Sequence, residues 1–264
     1  MDKNIKKMAG GYSVLKKQLE EMGLKKTDTV LIHSSLKAIN QDVDVVLDDL
    51  MSYFSEGLLL MPTHTWKQMN ETYNFFDSEK EASCVGLLTE SFRKRPGVLR
   101  SLHPTHSMAG YGKEAKNYLA GDEYAITPVS PNGTWGRLSQ VDATIMLVGC
   151  DMIRNTFVHA VEEMMGVPNR FTPKPITFKV KKDNSVIIQK SHKHFNAENP
   201  HLSENFKKAE NKLIELGSIK KGKYGDADVL YMKALELQEK IMEWLELDID
   251  LFSDTKPMED HINI

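Results

Sequence analysis

The feature that most constrains this chain is a regular exchange of two periodicities. Short runs of branched apolar residues alternate with stretches in which apolar residues recur every three or four positions. The spacing predicts a helix over 12–22, with Val14, Leu15, Leu19 and Met22 on one face and Gly23 as its stop. A buried strand is expected over 29–33, a helix over 42–54, and a second buried strand over 57–61, ended by Pro62. A helix over 84–95 stops before Pro96-Gly97. The clearest strand is 143–149, and a helix follows over 156–165, ended by Gly166 and Pro168. Beyond that point 176–180 and 186–189 flank the turn-rich stretch KKDNS, a hairpin signal. An amphipathic helix over 204–216 stops at Gly217. A long helix over 228–247 carries Leu230, Leu235, Leu237, Ile241, Trp244 and Leu245, and an acidic, partly loose tail ends the chain. The expectation is one α/β domain over residues 1–264, with a mixed central sheet, helices on both faces, and antiparallel strands supplied by the hairpin.

Composition narrows the function classes. The 264 residues are 41% hydrophobic and 27% charged with a net charge of −3, so no basic field draws the chain to nucleic acid or anionic lipid. No run of about 18 apolar residues occurs, which excludes a spanning helix. The lysines of residues 1–11 are not followed by an apolar core of signal-peptide length, so a cytoplasmic location is expected. Cys84 and Cys150 are the only cysteines and have no CxxC spacing, which argues against disulfides and structural zinc.

Nine histidines are many for this length, and five fall at the ends of predicted elements: His33, His64, His103, His106 and His159. His33-Ser34-Ser35 closes a strand before a loop or helix start, a position suited to a phosphate, although the motif alone favours a plain serine cap. His159 and Glu162 lie three apart on a predicted helix and share a face. A carboxylate there can hold one imidazole nitrogen as N–H and leave the other as a base, unless the two form a mere surface pair. Glu163, beside them, reads as a solvated or substrate-facing acid. His103 and His106 make an HxxH, but Pro104 forbids a regular helix through them and no HExxH accompanies it. Structural or ligand-lining histidines in an ordered loop over 100–109 are therefore favoured over a metal site. His192, His194, His201 and His261 read as surface residues. Trp135, in the turn SPNGTWG, looks buried. No GxSxG, GxxxxGK[ST] or strand-linked GxGxxG occurs, so serine-hydrolase, nucleotide and dinucleotide chemistry lack support.

Five stretches in order carry a resemblance: VLIHSSLKAI (30–39), LLLMPTHTW (58–66), RPGVLRSLHPTHSMAGYG (95–112), SPNGTWGRL (130–138) and IMLVGCDMIRNTFVHAVEE (145–163). Together they resemble the aminoglycoside 3-N-acetyltransferase (antibiotic N-acetyltransferase) family, over nearly the whole chain. The resemblance implies a three-layer α/β/α fold distinct from the GNAT acetyltransferases. It also implies transfer of acetyl from acetyl-CoA to the 3-amino group of an aminoglycoside, with no metal and no acyl-enzyme. By the same resemblance, His33, Ser34, Ser35, Leu36 and Lys37 meet the CoA pyrophosphate, while Arg100, Ser101, His106, Ser107, Met108 and Ala109 line the pantetheine arm. His159 becomes the general base and Glu162 its orienting carboxylate. Thr63, Asp77 and Glu163 are expected at the acceptor, with Thr63 or Thr156 near the developing oxyanion. The chain departs from the family pattern at Glu81-Ala-Ser-Cys84-Val-Gly86 and in Tyr73-Asn-Phe-Phe-Asp77, which border the acceptor site. Another amine as acceptor, a His103/His106/His159 metal hydrolase, and a CoA-binding relative without catalysis are the competing readings.

Overall fold

A computed structural model describes residues 13–196, 198 and 201–262. The expected strands form where branched residues are buried on both sides: β1 is Thr29–Ser34, β2 Leu58–Pro62 and β6 Thr144–Val148, the last two buried at every position. Fully buried runs of this kind suit parallel strands covered by helices on each face. β1 indeed pairs in parallel with β2 on one side and with β6 on the other. β3 (Phe75–Phe76) lies apart; β4 (Leu99–Arg100) and β5 (Met108–Gly112) extend the sheet beyond β2 as antiparallel strands. β7 (Ile176–Lys182) and β8 (Ser185–Ser191) form the hairpin, and β9 (Lys220–Tyr224) and β10 (Ala227–Lys233) close the far edge antiparallel to β6. The main sheet has seven strands in the order β4-β5-β2-β1-β6-β10-β9.

Alternate residues of each strand build two cores. Val30, Ile32, Leu59, Met61, Met146 and Val148 pack against α1 (Val14–Glu21), α2 (Leu36–Ile39), α3 (Val43–Tyr53) and α4 (Leu87–Phe92). Leu31, Leu58, Leu60, Ile145 and Leu147 face α5 (Ala115–Leu119), α6 (Phe157–Met164), α7 (Lys207–Glu215) and α8 (Ala234–Leu247). The result is the expected α/β/α sandwich. Each fully buried leucine or isoleucine contributes roughly 1.5–3 kcal/mol. Leu147→Ala, in the central layer, is thus expected to cost about 2–5 kcal/mol once its cavity is included. Gly149 matters at the exit of β6: its φ is +66°, and an added Cβ would lie 2.4 Å from the Ala38 Cβ. No other residue lets α2 dock so closely there.

Three expectations are corrected. The hairpin does not join the main sheet; with β3 it makes a separate three-stranded sheet over its own core of Met69, Phe76, Phe178 and Val180. The antiparallel strands of the main sheet come instead from β4, β5, β9 and β10. Residues 228–233 are strand, and the long helix starts only at Ala234. Their apolar run faces the two cores in alternation, Val229 and Tyr231 toward one and Leu230 and Met232 toward the other, as a strand requires. Finally, 251–262 is not loose: Leu251, Phe252, Met258 and Ile262 are buried in the second core.

Candidate active site

The site forms at the carboxyl ends of the parallel strands, where β1 has β2 on one side and β6 on the other. Open α/β sheets place ligands at such a reversal of strand order. Pleating sends consecutive side chains to opposite faces, so the end of β1 serves two places at once. Ser34 faces the α1–α4 layer, and His33 faces the layer that holds α6.

On the first face a cavity of about 760 Å³ is lined by Ser34, Ser35, Leu36, Lys37, Asn40 and, across from them, Val85–Thr89. Ser35 is a helix cap: its Oγ accepts from the Ala38 N–H at 3.3 Å. The Ser34 hydroxyl is buried and meets no partner in the protein.

On the second face aromatic rings stand in series. His33 lies 6.1 Å from Trp135 and His64 5.2 Å from the same indole, with His106 4.6 Å beyond His64. His194 follows at 5.1 Å, then His159 at 4.3 Å, which is closed off edge-on by Phe206 at 4.6 Å. Trp135 is fixed by donating from Nε1 to the His106 carbonyl at 2.8 Å. Burial keeps His33, His64, His103, His106 and His194 neutral by opposing the charged form. It lowers His33 to about 3 and His103 to about 4, and it holds His64, His106 and His194 well below the ordinary histidine range. His103 shows why that state is locked. Its Nδ1 accepts from the Thr105 and His106 N–H groups at 3.2 and 3.0 Å, so Nε2 carries the proton toward Ser191 Oγ. Buried His33 Nε2, His64 Nδ1 and His194 Nε2 have no protein partner.

His159 differs from the others in having a carboxylate. Its Nδ1 is 3.0 Å from Glu162 Oε2, while the Arg170 Nε donates to Glu162 Oε1 at 2.8 Å. The helix of α6 supplies the i,i+3 geometry, and Glu162 is buried with 1% of its side chain exposed. An acceptor-only carboxylate assigns the proton to Nδ1, which leaves Nε2 with its lone pair. The ring keeps 15% of its side chain exposed, so it can be reached. Glu163 accepts from the Thr127 hydroxyl at 2.5 Å, and its Oε2 is buried without a partner. Burial raises its pKa against that hydrogen bond. Thr156, at the foot of α6, has its hydroxyl 3.3 Å from His64 Nε2.

The other expected residues make internal contacts. Arg100 Nε donates to Thr63 Oγ1 and Ser107 Oγ, Nη1 to the Ser78 and Glu81 carbonyls, and Nη2 to the Thr63 carbonyl. Burial lowers its pKa to about 9. It therefore pins the end of β2 to the 78–81 turn. Thr63 is fully buried in that network. Ser101 accepts from the Met108 N–H at 3.0 Å, and Met108 and Ala109 are core residues of β5. Of the 100–109 stretch, expected as loop throughout, the His106 ring joins the histidine series, with His103 edge-on to it at 6.3 Å. Asp77 is nearly buried; burial would raise its pKa, but the Lys181 ammonium at 3.0 Å outweighs this and lowers it. Both cysteines are free, and burial raises their pKa, Cys150 to about 12, which favours the less reactive thiol over the thiolate. Among the described residues no group of three or more histidine, cysteine or acidic side chains is arranged to hold a metal ion.

Of the four histidines expected at the surface only His201 is exposed; His192 is half-buried with Nδ1 2.6 Å from the Thr172 carbonyl oxygen. His194 is in the ring series, and His261 is held between Asp248 and Asp254 at 2.6 and 2.9 Å. Arg170 was not anticipated at all. Its one signal is a lone charge in the otherwise uncharged stretch 167–173.

A family model described as aminoglycoside 3-N-acetyltransferase matches residues 31–246. The chain belongs to that family. It is 26% identical over 214 residues to the aminoglycoside N(3)-acetyltransferase IV of a Salmonella species, spanning 80% of this chain and 77% of that enzyme. It is 28% identical over 170 residues to the prophage-derived aminoglycoside N(3')-acetyltransferase-like protein YokD of Bacillus subtilis. That match spans 54% of this chain and 61% of YokD. The solved structure of aminoglycoside acetyltransferase AAC(3)-IVa shares the fold, with a TM-score of 0.74 at 23% identity over 89% of this chain and 88% of that one. AAC-IIIb, solved with CoASH, gives a TM-score of 0.76 at 18% identity over 88% and 94%. These acetyltransferases share the non-GNAT α/β/α architecture described above. Among the described residues no helix is long and apolar enough to cross a membrane.

Proposed function

We propose that this family member transfers acetyl from acetyl-CoA directly to the 3-amino group of an aminoglycoside, in the cytoplasm, with His159 as general base. The observation that carries the reading is the His159–Glu162–Arg170 series: an accessible imidazole whose Nδ1 is committed to a buried carboxylate and whose Nε2 is free. Relatives support the two substrates, since AAC-IIIb was solved with CoASH and AAC-VIa with sisomicin.

The donor would lie along the groove at Ser34–Lys37, with Lys37 and the buried Ser34 hydroxyl toward its phosphates. Its thioester would then reach across the end of β1 to His159. An alkylamine is mostly protonated near neutral pH, so the reacting nitrogen must arrive as the free base. That nitrogen attacks the thioester carbonyl, and a C–N bond forms. Its proton passes to His159 Nε2, the C–S bond breaks, and the imidazolium returns the proton to the departing thiolate. The products are the amide and CoA thiol. Glu162 stabilises the imidazolium between the two transfers. Of the two hydroxyls considered for the oxyanion, Thr156 is favoured, because Thr63 Oγ1 already serves Arg100 and Ser107. Holding both substrates together supplies the proximity contribution.

A second reading rests on Asp77. Its charge is matched by Lys181, so one acid expected to hold a polycationic acceptor is already engaged. A simpler amine then fits as acceptor. Thiol release from acetyl-CoA, measured against a panel of aminoglycosides and simple amines, decides between them. Signal with the antibiotics alone supports the first reading, signal with amines alone the second, and silence throughout rejects both.

A further inference from the structure

Glu162 meets His159 with one carboxylate oxygen and Arg170 with the other. Arg170 is itself almost completely buried, with 3% of its side chain exposed, and its donors go to three separate places. Nε takes Glu162, Nη1 the Pro168 carbonyl at 3.1 Å, and Nη2 the Ser253 hydroxyl at 3.1 Å. Its own carbonyl accepts from the Phe195 N–H at 3.1 Å and from His194 Nδ1 at 3.4 Å. One residue therefore fixes the carboxylate on one side of His159 and the imidazole packed on its other side.

The chain near its C-terminal end completes the support. Ser253 sits in a segment clasped by His261, whose two ring nitrogens meet Asp248 and Asp254. The neighbouring Phe252 packs edge-on against Phe206 at 5.2 Å, and Phe206 packs edge-on against His159. Stability alone does not call for this arrangement, since a buried ion pair can often be replaced by apolar residues at no loss. What an apolar replacement would lose is direction: Nε claims one oxygen and turns the other toward His159.

We infer that Arg170 is a positioning residue, which, tied through Ser253 to the C-terminal segment, holds the Glu162 carboxylate in line with His159 Nδ1 and so fixes the tautomer that leaves Nε2 free. The inference rests on the function proposed above for His159. The charged groups behind the His159 ring are Glu162 and Arg170; the imidazoles facing it, His194 from 192–196 and His64 and His106 beyond, are neutral through burial.

The test combines acetyl-transfer kinetics across pH with ¹⁵N-histidine NMR of the full chain, the His159 signals being assigned by their loss in His159→Gln. In Arg170→Met the buried carboxylate has no counter-charge, takes up a proton, and ceases to accept from Nδ1. The expected result is a kcat lower by about 10²-fold, the scale of a lost positioning contact. KM for acetyl-CoA should barely move, the acid limb of kcat/KM should shift to higher pH, and the Nδ1–H signal at neutral pH should disappear. Arg170→Lys should restore the acid limb while leaving kcat below the parent, because an ammonium replaces the charge and not the fork. Ser253→Ala should move every readout in the same direction by a few-fold. A folded Arg170→Met with the parent's acid limb and parent's His159 spectrum overturns the inference. If that variant does not fold, parent-like kcat and His159 signals in both Arg170→Lys and Ser253→Ala overturn it. An inactive parent would sink the acetyltransferase reading instead, and the NMR arm would still report whether Arg170 governs His159.

Discussion

His33 and Ser34 are neighbours in β1, yet they belong to two different environments. Ser34 opens onto a broad groove whose lining mixes serine, lysine and asparagine with Leu36, Val85, Leu87 and Leu88, with the Ser35 cap beside it. His33 opens onto a largely buried series of aromatic rings, beside which Glu162 is paired with Arg170. The contrast separates two tasks. A phosphate-bearing donor can be held at a wet, open surface by charge and hydroxyls. Moving a proton between an amine, an imidazole and a thiolate benefits from a place where water does not compete.

Four results would break or sharpen that division. The largest effect is expected for His159→Ala. Loss of a general base should lower kcat by about 10²–10⁴-fold, with CoA affinity by calorimetry within a few-fold of the parent. Equal losses in both would merge the two regions into one site.

Acid should act on the histidine face in particular. His33 and His103 are held at about 3 and 4 when folded, against about 6.5 in an unfolded chain. The unfolded chain therefore binds protons first, so this stability is complete above pH 6.5 and drains away as pH falls toward those values. These two groups together should cost about 3 kcal/mol between pH 6.5 and pH 5, read as a lower unfolding midpoint in urea. A midpoint independent of pH over that range would mean the imidazoles are solvated.

Glu162→Gln keeps the shape and removes the charge. Its kcat should fall by roughly tenfold or more, short of the loss on removing the base, with acceptor KM nearly constant. A change confined to acceptor KM would make Glu162 a substrate contact.

The smallest effect concerns the groove. Ser34→Asp with Ser35→Asp places carboxylates against the donor's phosphates and should raise the CoA Kd by about fivefold, near 1 kcal/mol. An unchanged Kd would move the donor elsewhere.

The amount legible in the sequence varied from element to element for physical reasons. Strands β1, β2 and β6 were plain because burial on both faces leaves a continuous apolar run. Helix α6 was plain because its apolar face repeats at helical spacing, and that spacing also placed His159 beside Glu162. β10 was misread because Asp228-Val-Leu-Tyr-Met-Lys233 runs directly into α8, and local pattern does not mark where extended chain becomes helix. The separate seat of the β7–β8 hairpin was hidden as well, since its partner β3 is two residues long and lies about a hundred positions upstream. Arg100 and Thr63, both expected at ligands, hydrogen-bond one another, a contact that no spacing between them reveals.

By itself the sequence determined the layered α/β/α class, the family, and the histidine–glutamate pair, because each of these is written in contacts between residues near in the chain or in ordered motifs. The tertiary structure alone decided which polar groups are already spoken for and which are open. It drew Arg170, His194 and Ser253 around one imidazole from points up to 94 positions apart along the chain. Burial and hydrogen-bond partners are properties of neighbours in space, and only folding chooses those neighbours.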